Sequence, residues 1–359
     1  MITQEQRYSR SGLEDPKQLE NRHLQVGRSL KMNALTRIKA TLLKSAREFF
    51  DNDGWLEVAP ISAISTLAGA CEDFSTLFSL DYFGERAFLI QTGQQHLEPY
   101  IQGPIKKVYA FNQSYRAETK APERRLTAFL LIEAEAARYS LADIQEVQER
   151  LLYKLCTDVA LRREADLKEL EADIEKLVNL RIPIRRITYT EAIEMLNQMN
   201  QEDLQINWGE DLKGKHERAL GKSIGQPFFV SHYPGAIKFF NMKDDPTDPR
   251  VVLSSDLLVP GYGEIIGASE REDDYEKLVA KLERFGRNEE RIKDMHKLGI
   301  KDVKELKAIY EWYLDLRRFN GVPHAGFGLG FERLVQWICD LESIVEATEW
   351  VRNKEHLGP

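Results

Sequence analysis

Apolar residues recur at three- and four-residue spacing along several tracts of the chain, and this spacing predicts helices. The first tract begins at Thr36 and ends at Asp51-Asn-Asp-Gly54, where glycine suits the position just past a helix end. A second tract covers residues 141–178, and two more lie at about 275–285 and 303–319. The first tract has the clearest apolar stripe, formed by Ile38, Leu42, Leu43, Ala46, Phe49 and Phe50.

Shorter apolar runs predict strands at residues 55–58, 87–91, 107–111 and 128–133, with others at 227–230 and 251–253. Helices interrupt these runs without regular strand–helix alternation, so we expect an α+β fold with a mainly antiparallel sheet flanked by helices. No linker rich in Pro, Ser or Gly divides the chain. We therefore predict a single domain over residues 31–359, preceded by a polar arm at residues 1–30.

Composition narrows the function only by exclusion. The 359 residues are 42% hydrophobic and carry a net charge of −8, which excludes a disordered chain and a protein that coats nucleic acid through an overall positive charge. Cys71, Cys156 and Cys339 lie far apart and form neither a disulfide framework nor a zinc motif. With no signal peptide and no apolar run near the ~18 residues of a membrane span, the sequence predicts a cytoplasmic protein.

Two segments contain residues that are suited to phosphate chemistry. Tyr115-Arg-Ala-Glu118 and Arg124-Arg-Leu-Thr-Ala-Phe129 flank a polar loop and can direct arginine, glutamate and an aromatic ring to one pocket, although a solvated hairpin with a salt bridge explains them as well. Asp256 and Glu264 flank an apolar hairpin-like segment. Two carboxylates suit Mg²⁺ when a substrate phosphate supplies further oxygens, and a structural salt bridge is the alternative.

The third segment is Gly326-Phe-Gly-Leu-Gly330, followed by Phe-Glu-Arg333 with helical character. It fits neither a P-loop nor the dinucleotide-binding fingerprint, because its glycine spacing and context differ from both. Glycines here allow close backbone packing, with Arg333 projecting from the start of the following helix.

In chain order these segments resemble the signature motifs of class II aminoacyl-tRNA synthetases. Residues 49–60 are similar to the first motif, which forms the dimer interface in that class, and the segments ending at Glu133 and Arg333 are similar to the second and third. The asparaginyl branch is the most similar. Its hallmarks include Asn21-Arg-His-Leu24, Gln91-Thr-Gly-Gln-Gln-His-Leu-Glu98 and Tyr313-Leu-Asp-Leu-Arg-Arg318.

The resemblance implies activation of an amino-acid carboxylate by ATP, with release of pyrophosphate and formation of an acyl-adenylate. It implies ATP contacts by Arg116, Glu118, Arg124, Arg125, Phe129, Glu264 and Arg333, with Arg116 and Arg333 catalytic and with Phe129 and Arg333 on either side of the adenine. Asp256 and Glu264 would hold Mg²⁺, and Glu72, Gln94, Arg271 and His324 would bind the amino acid. A homodimer is also implied.

Some positions depart from the asparaginyl pattern. Arg125 replaces the usual histidine and keeps a possible phosphate contact, whereas Ala128 replaces a glutamate that accepts the amide of asparagine in the family. With Arg271 retained, we expect a net positive pocket that favours a carboxylate such as aspartate. The C-terminal stretch also differs. About twenty residues precede Asn21, too few for the family's anticodon-binding barrel, so we expect a catalytic core without that domain.

These departures favour one function among three. The main hypothesis is activation of aspartate or a related acid, with transfer to ammonia or a small amine, as in asparagine synthetases related to asparaginyl-tRNA synthetase. The first alternative is aminoacylation of tRNA, which we disfavour as the acceptor. The second is a catalytically inactive regulatory paralogue, which the retained motif residues oppose.

Overall fold

The computed structural model describes residues 19, 22–67, 74–119, 125–319 and 321–358. Its strands are β1 (Leu56–Glu57), β2 (Ile64–Ser65), β3 (Ser79–Tyr82), β4 (Glu85–Leu89), β5 (Lys107–Tyr115), β6 (Ala128–Ala137), β7 (Arg185–Thr188), β8 (Phe228–Ser231), β9 (Ser254–Val259), β10 (Gly263–Glu270) and β11 (His324–Gly330). The helices of the N-terminal half are α1 (Arg22–Arg28), α2 (Leu30–Asn52), α3 (Gln94–Leu97), α4 (Leu141–Arg162), α5 (Glu164–Glu169) and α6 (Glu175–Val178). Those that follow are α7 (Tyr189–Gln198), α8 (Gly214–Ile224), α9 (Tyr275–Gly286), α10 (Glu289–Lys297), α11 (Val303–Ile309), α12 (Glu311–Arg318) and α13 (Phe331–Ile338).

A large sheet organises the fold, with eight strands in the order β1-β5-β6-β11-β10-β9-β8-β7. The pairs β1–β5 and β7–β8 at its two edges are parallel, and the pairs between them are antiparallel. A small sheet has the order β2-β4-β3. The predicted α+β class with a mainly antiparallel sheet is therefore confirmed.

The long helices α2 and α4 cover one face of the large sheet. Helix α2 begins six residues before the predicted start, because Ser29 caps it by accepting a hydrogen bond from the Met32 amide, and it ends before Gly54, whose φ is +73°. Phe50 is fully buried in this layer, with its ring stacked on Tyr109 at a centroid distance of 4.4 Å. The opposite face carries buried polar side chains on β5 and β6, among them Asn112, Glu133 and Glu135, together with two smaller apolar clusters.

The glycine-rich segment is a strand, which the sequence pattern did not predict. β11 lies between β6 and β10, and a Cβ added at Gly326 would lie 2.1 Å from the carboxyl carbon of Glu135 on β6. Glycine is unfavourable in a strand, because it loses much entropy and packs no side chain. Here it leaves the space that the Glu135 carboxylate needs.

A second hydrophobic cluster joins the small sheet to the helices α9–α12. Leu67, Phe74 and Phe88 from the first third of the chain pack with Phe285 of α9 and with Tyr310 between α11 and α12. This packing places α12, with Tyr313 and Arg317, at the same face of the large sheet as the polar side chains.

The N-terminal end of the described chain packs on its C-terminal part. Arg22 in α1 is 1% exposed, and its Nη2 donates a hydrogen bond to the Val345 carbonyl at 3.0 Å. The boundary at residue 30 between an arm and the domain stays a prediction. Within the described ranges, no helix has the length and hydropathy that a membrane span requires.

Replacing Phe50 with alanine is expected to lower the free energy of unfolding by about 3–5 kcal/mol, because it opens a cavity between α2 and the sheet. Urea denaturation followed by circular dichroism measures the change. The control is Leu161→Ala at a residue that is 76% exposed, for which we expect a change within about 0.5 kcal/mol. Equal effects of the two substitutions would contradict this description of the core.

Candidate active site

Arg116 lies where β5 ends, at the open face of the large sheet. Its amide donates a hydrogen bond to the Thr127 carbonyl at 3.0 Å, which aligns it with the start of β6. The guanidinium carbon lies 5.2 Å from the centroid of the Phe129 ring. The Arg116 guanidinium and the Phe129 ring thus lie close together. A ligand that has both a planar ring and phosphates could use the two groups at once.

Two other predicted residues of this region contact each other. Arg125 and Glu118 form an ion pair with Nη1 and Oε2 2.5 Å apart. Arg333, in the first turn of α13, donates a hydrogen bond from Nη1 to the Glu264 carbonyl of β10 at 2.9 Å. Arg124 and Glu72 lie outside the described residues.

Asp256 on β9 and Glu264 on β10 converge over the backbone of Gly267. A Cβ added at Gly267 would lie 2.9 Å from Oε1 of Glu264 and 3.7 Å from Oδ1 of Asp256. Lys238 contacts the same group, with Nζ 2.9 Å from Oδ2 of Asp256. A third carboxylate, Glu217 of α8, accepts a hydrogen bond from the Glu264 amide at 3.4 Å.

Burial and the neighbouring Asp256 carboxylate raise the pKa of Glu264 to about 7. Two close carboxylate oxygens suit a hard divalent cation, so the donor set of Asp256 and Glu264 fits Mg²⁺. In the part of the chain that the structure describes, no group of three or more His, Cys, Asp or Glu side chains could hold a metal ion.

A buried charge network centred on Glu98 lies at the other end of the site. Glu98 is 0% exposed, and its Oε2 accepts a hydrogen bond from Arg317 Nη2 at 2.6 Å and lies 3.1 Å from His324 Nε2. Its Oε1 accepts hydrogen bonds from Tyr313 and from Gln94, both at 2.9 Å. Although burial opposes ionisation, Arg317 and His324 hold the pKa of Glu98 below its usual range. The predicted residues Gln94 and His324 are thus held together by Glu98, which the sequence analysis placed in a hallmark segment without assigning it a role.

Arg271 and Glu135 form an ion pair beside this network. Arg271 Nη2 lies 2.6 Å from Oε1 of Glu135, and Nη1 donates to Ser269 Oγ at 2.6 Å. The arginine is 4% exposed and the glutamate 1%. Burial raises the pKa of Glu135, and the guanidinium of Arg271 opposes that rise. The charge of Arg271 is therefore compensated within the protein.

This pairing corrects the expectation of a net positive pocket. Successive side chains of a strand point to opposite faces. Ala128 shares its face of β6 with Ile132, which belongs to the core, whereas Phe129, Glu133 and Glu135 occupy the other face. The substitution at Ala128 thus lies on the core face, and the negative charge beside Arg271 comes from Glu135.

Glu133 is a further buried carboxylate that the sequence reading did not assign. It accepts hydrogen bonds from the Thr92 hydroxyl, from the Gly93 amide at 2.9 Å and from Asn112 Nδ2 at 2.7 Å. These bonds fix the Gln91-Thr-Gly segment against β6. The available signal was the alternation of Phe129, Glu133 and Glu135 along a strand that is otherwise apolar.

Comparison with known proteins identifies the family of this chain. Residues 14–354 match the family described as tRNA synthetases class II (D, K and N). The chain is 42% identical to asparagine–tRNA ligase of Pyrococcus abyssi, over 95% of this chain and 73% of that protein. It is 43% identical to the Thermococcus kodakarensis enzyme of the same name, over 95% and 74%.

Solved structures share the fold. Asparaginyl-tRNA synthetase from Pyrococcus horikoshii, complexed with asparaginyl-adenylate, superposes with a TM-score of 0.83 at 41% identity, over 95% of this chain and 73% of that one. The Entamoeba histolytica enzyme, also complexed with asparaginyl-adenylate, has a TM-score of 0.81 at 29% identity, over 96% and 72%.

The family resemblance inferred from the motifs is thereby confirmed, and with it the use of ATP and Mg²⁺. The chain belongs to the class II tRNA synthetases (D, K and N) and is an adenylate-forming ligase that converts ATP to AMP and pyrophosphate.

Proposed function

We propose that this protein activates asparagine as asparaginyl-adenylate and transfers the asparaginyl group to tRNA. The observation that carries the choice of amino acid is the buried pair of Arg271 and Glu135, whose nitrogen and oxygen lie 2.6 Å apart. The relatives that are named asparagine–tRNA ligases at 42% and 43% identity support the choice of acceptor.

The Arg271–Glu135 pair is complementary to an amide. A guanidinium offers N–H donors and a carboxylate offers acceptor lone pairs, which match the C=O and NH₂ groups of an asparagine side chain. The pair is neutral overall, so a neutral substrate adds no uncompensated charge to a buried site. An aspartate side chain would bring a second carboxylate next to Glu135, and two buried like charges repel each other.

Adenylate formation depends on positioning and on charge neutralisation more than on acid–base catalysis. The substrate carboxylate attacks the α-phosphorus, the bond to the bridging oxygen breaks, and pyrophosphate leaves. We assign the α-phosphate and the substrate carboxylate to Arg116, because its guanidinium carbon lies 5.2 Å from the centroid of Phe129, the ring that we assign to the adenine. Gln94, held by Glu98 at 2.9 Å, would orient the amino acid.

The phosphate end is assigned to Asp256 and Glu264. These carboxylates would hold Mg²⁺, which neutralises phosphate charge when it is bound. Arg333 would then contact the nucleotide from the start of α13, and His324 would bind on the amino-acid side. Glu118 and Arg125 would contact ATP from the end of the loop between β5 and β6.

The amide-forming hypothesis with ammonia receives no support from the relatives, which are named as tRNA ligases. Its argument from Ala128 also loses force, because that residue lies on the core face of β6. The experiment below therefore tests ammonia as the alternative acceptor. Dimerisation through the first motif stays a prediction, in which Leu56 on the edge strand β1, 48% exposed, would contact the second copy.

The acceptor is tested by mass analysis of products. With ATP, Mg²⁺, asparagine and total tRNA, we expect asparagine joined to RNA through a base-labile ester, since transfer from an adenylate to a ribose hydroxyl gives an ester. Parallel reactions replace asparagine with aspartate and tRNA with ammonium. Free asparagine formed from aspartate and ammonium would overturn the proposal and favour the amide-forming hypothesis.

Arg116→Ala is expected to lower asparagine-dependent ATP–pyrophosphate exchange by roughly 10²–10³-fold, because a positioned cation at the reacting phosphate is lost. The matched control is Arg291→Ala, which removes an arginine whose guanidinium carbon lies 3.6 Å from the Phe285 ring in the helical cluster. The control should retain exchange near the wild-type rate. Full exchange by Arg116→Ala would refute its assigned role.

Glu135→Gln is expected to lower kcat/KM for asparagine roughly 5- to 150-fold, because the amide NH₂ loses a charged acceptor worth about 1–3 kcal/mol. The same change leaves Arg271 uncompensated, so aspartate should gain relative to asparagine in exchange assays. Ala128→Glu is the control, and it should leave the asparagine-to-aspartate ratio unchanged. A ratio that moves with residue 128 and not with residue 135 would contradict the assignment of the two faces of β6.

A further inference from the structure

Lys238 lies within the carboxylate cluster at the phosphate end of the site, and the sequence motifs did not include it. It follows a short helical turn, Gly235–Ile237. Its ammonium lies 2.9 Å from Oδ2 of Asp256 and 3.8 Å from the centroid of the Tyr233 ring. Its side chain is 18% exposed. The lysine thus rests on an aromatic face with its charge directed to one of the two predicted metal ligands.

Carboxylates outnumber cationic side chains in the cluster that contains Lys238. Asp256 lies 2.9 Å from its ammonium, and Glu264 converges with Asp256 over Gly267. Glu217 adds a further carboxylate beside Glu264. Arg333 is the second cation of this cluster, with Nη1 3.6 Å from Oε2 of Glu264.

This cluster has to accept the phosphates of ATP, which are themselves negative. A divalent ion on Asp256 and Glu264 makes that possible, but the Asp256 carboxylate already accepts a hydrogen bond from Lys238 through Oδ2. A metal ion and the ammonium therefore compete for Asp256. An ammonium displaced from the carboxylate stays near the bound metal, because the Tyr233 ring supports it and the lysine stem is flexible.

We propose that Lys238 is a positioning residue that exchanges partners: it pairs with Asp256 in the metal-free protein, and with the terminal phosphates or the departing pyrophosphate when Mg²⁺ occupies the carboxylates. Lysine binds phosphate as a compact point charge, so it can follow the pyrophosphate as it leaves. The inference rests on adenylate formation and not on the identity of the amino acid or of the acceptor.

If Lys238 both competes with the metal and binds phosphate, its removal should change the metal affinity and the pyrophosphate affinity in opposite directions. In Lys238→Met, the affinity for Mn²⁺ alone should rise on the order of tenfold, because the competing cation is gone. The affinity for pyrophosphate in the presence of Mg²⁺ should fall on the order of tenfold, because a phosphate partner is gone. Isothermal titration calorimetry measures both affinities, and electron paramagnetic resonance of Mn²⁺ checks the first.

Two further variants separate this role from a structural one. Lys238→Arg keeps the charge and should leave both affinities within about twofold of the wild type. Lys243→Met removes another partly buried lysine of the same segment, which pairs with Asp273 at 2.5 Å, and it should change neither affinity. Thermal unfolding identifies a variant that does not fold, and in that case the Lys238→Arg titrations decide.

An unchanged Mn²⁺ affinity in Lys238→Met would overturn the proposal, and so would a parallel loss of both affinities. Loss of both in a folded Lys238→Arg variant would overturn it as well. Amino-acid-dependent pyrophosphate exchange by the wild type, measured with each amino acid, reports separately on the proposed function. Failure of the proposed substrate would therefore leave the metal titrations interpretable.

Discussion

Pairing of buried carboxylates on one face of the central sheet is the constraint on which the rest of this site depends. Glu133 and Glu135 on β6 are 2% and 1% exposed, and unpaired carboxylates at such positions would be very unfavourable. Each is satisfied by a different part of the chain. Glu133 binds the turn before α3, and Glu135 binds Arg271 just after β10. The two pairs tie segments that are distant in sequence to one strand.

The glycines of β11 follow from the same constraint. The carboxylate of Glu135 occupies the space in which a side chain of residue 326 would lie, so glycine at this position is a condition for the Arg271–Glu135 pair. Gly267 has the same relation to the Asp256–Glu264 pair on the neighbouring strands. The polar face of the sheet is thus built from acids on some strands and from glycines opposite them.

The two ends of the site differ in how their charges are balanced. At the amino-acid end, Glu98 and Glu135 are matched by Arg317 and Arg271 within hydrogen-bond distance, so the charges of these two pairs cancel. At the phosphate end, several carboxylates share Lys238 and Arg333. The first arrangement suits recognition of a neutral group. The second suits a phosphate ligand that binds together with a metal cation.

The sequence by itself determined the family and the α+β class, because local patterns and motif order carry that information. It also predicted the helix that ends before Gly54 and the hairpin of Asp256 and Glu264. The tertiary structure decided on which face of a strand each side chain lies and which residue it pairs with. Three features depend on strand register and on contacts across more than a hundred residues. They are the carboxylate that lies beside Arg271, the formation of strand β11 despite its glycines, and the link that Glu98 makes between Gln94 and His324. No local pattern encodes such contacts, because a side chain's partner is set by where the backbone places it.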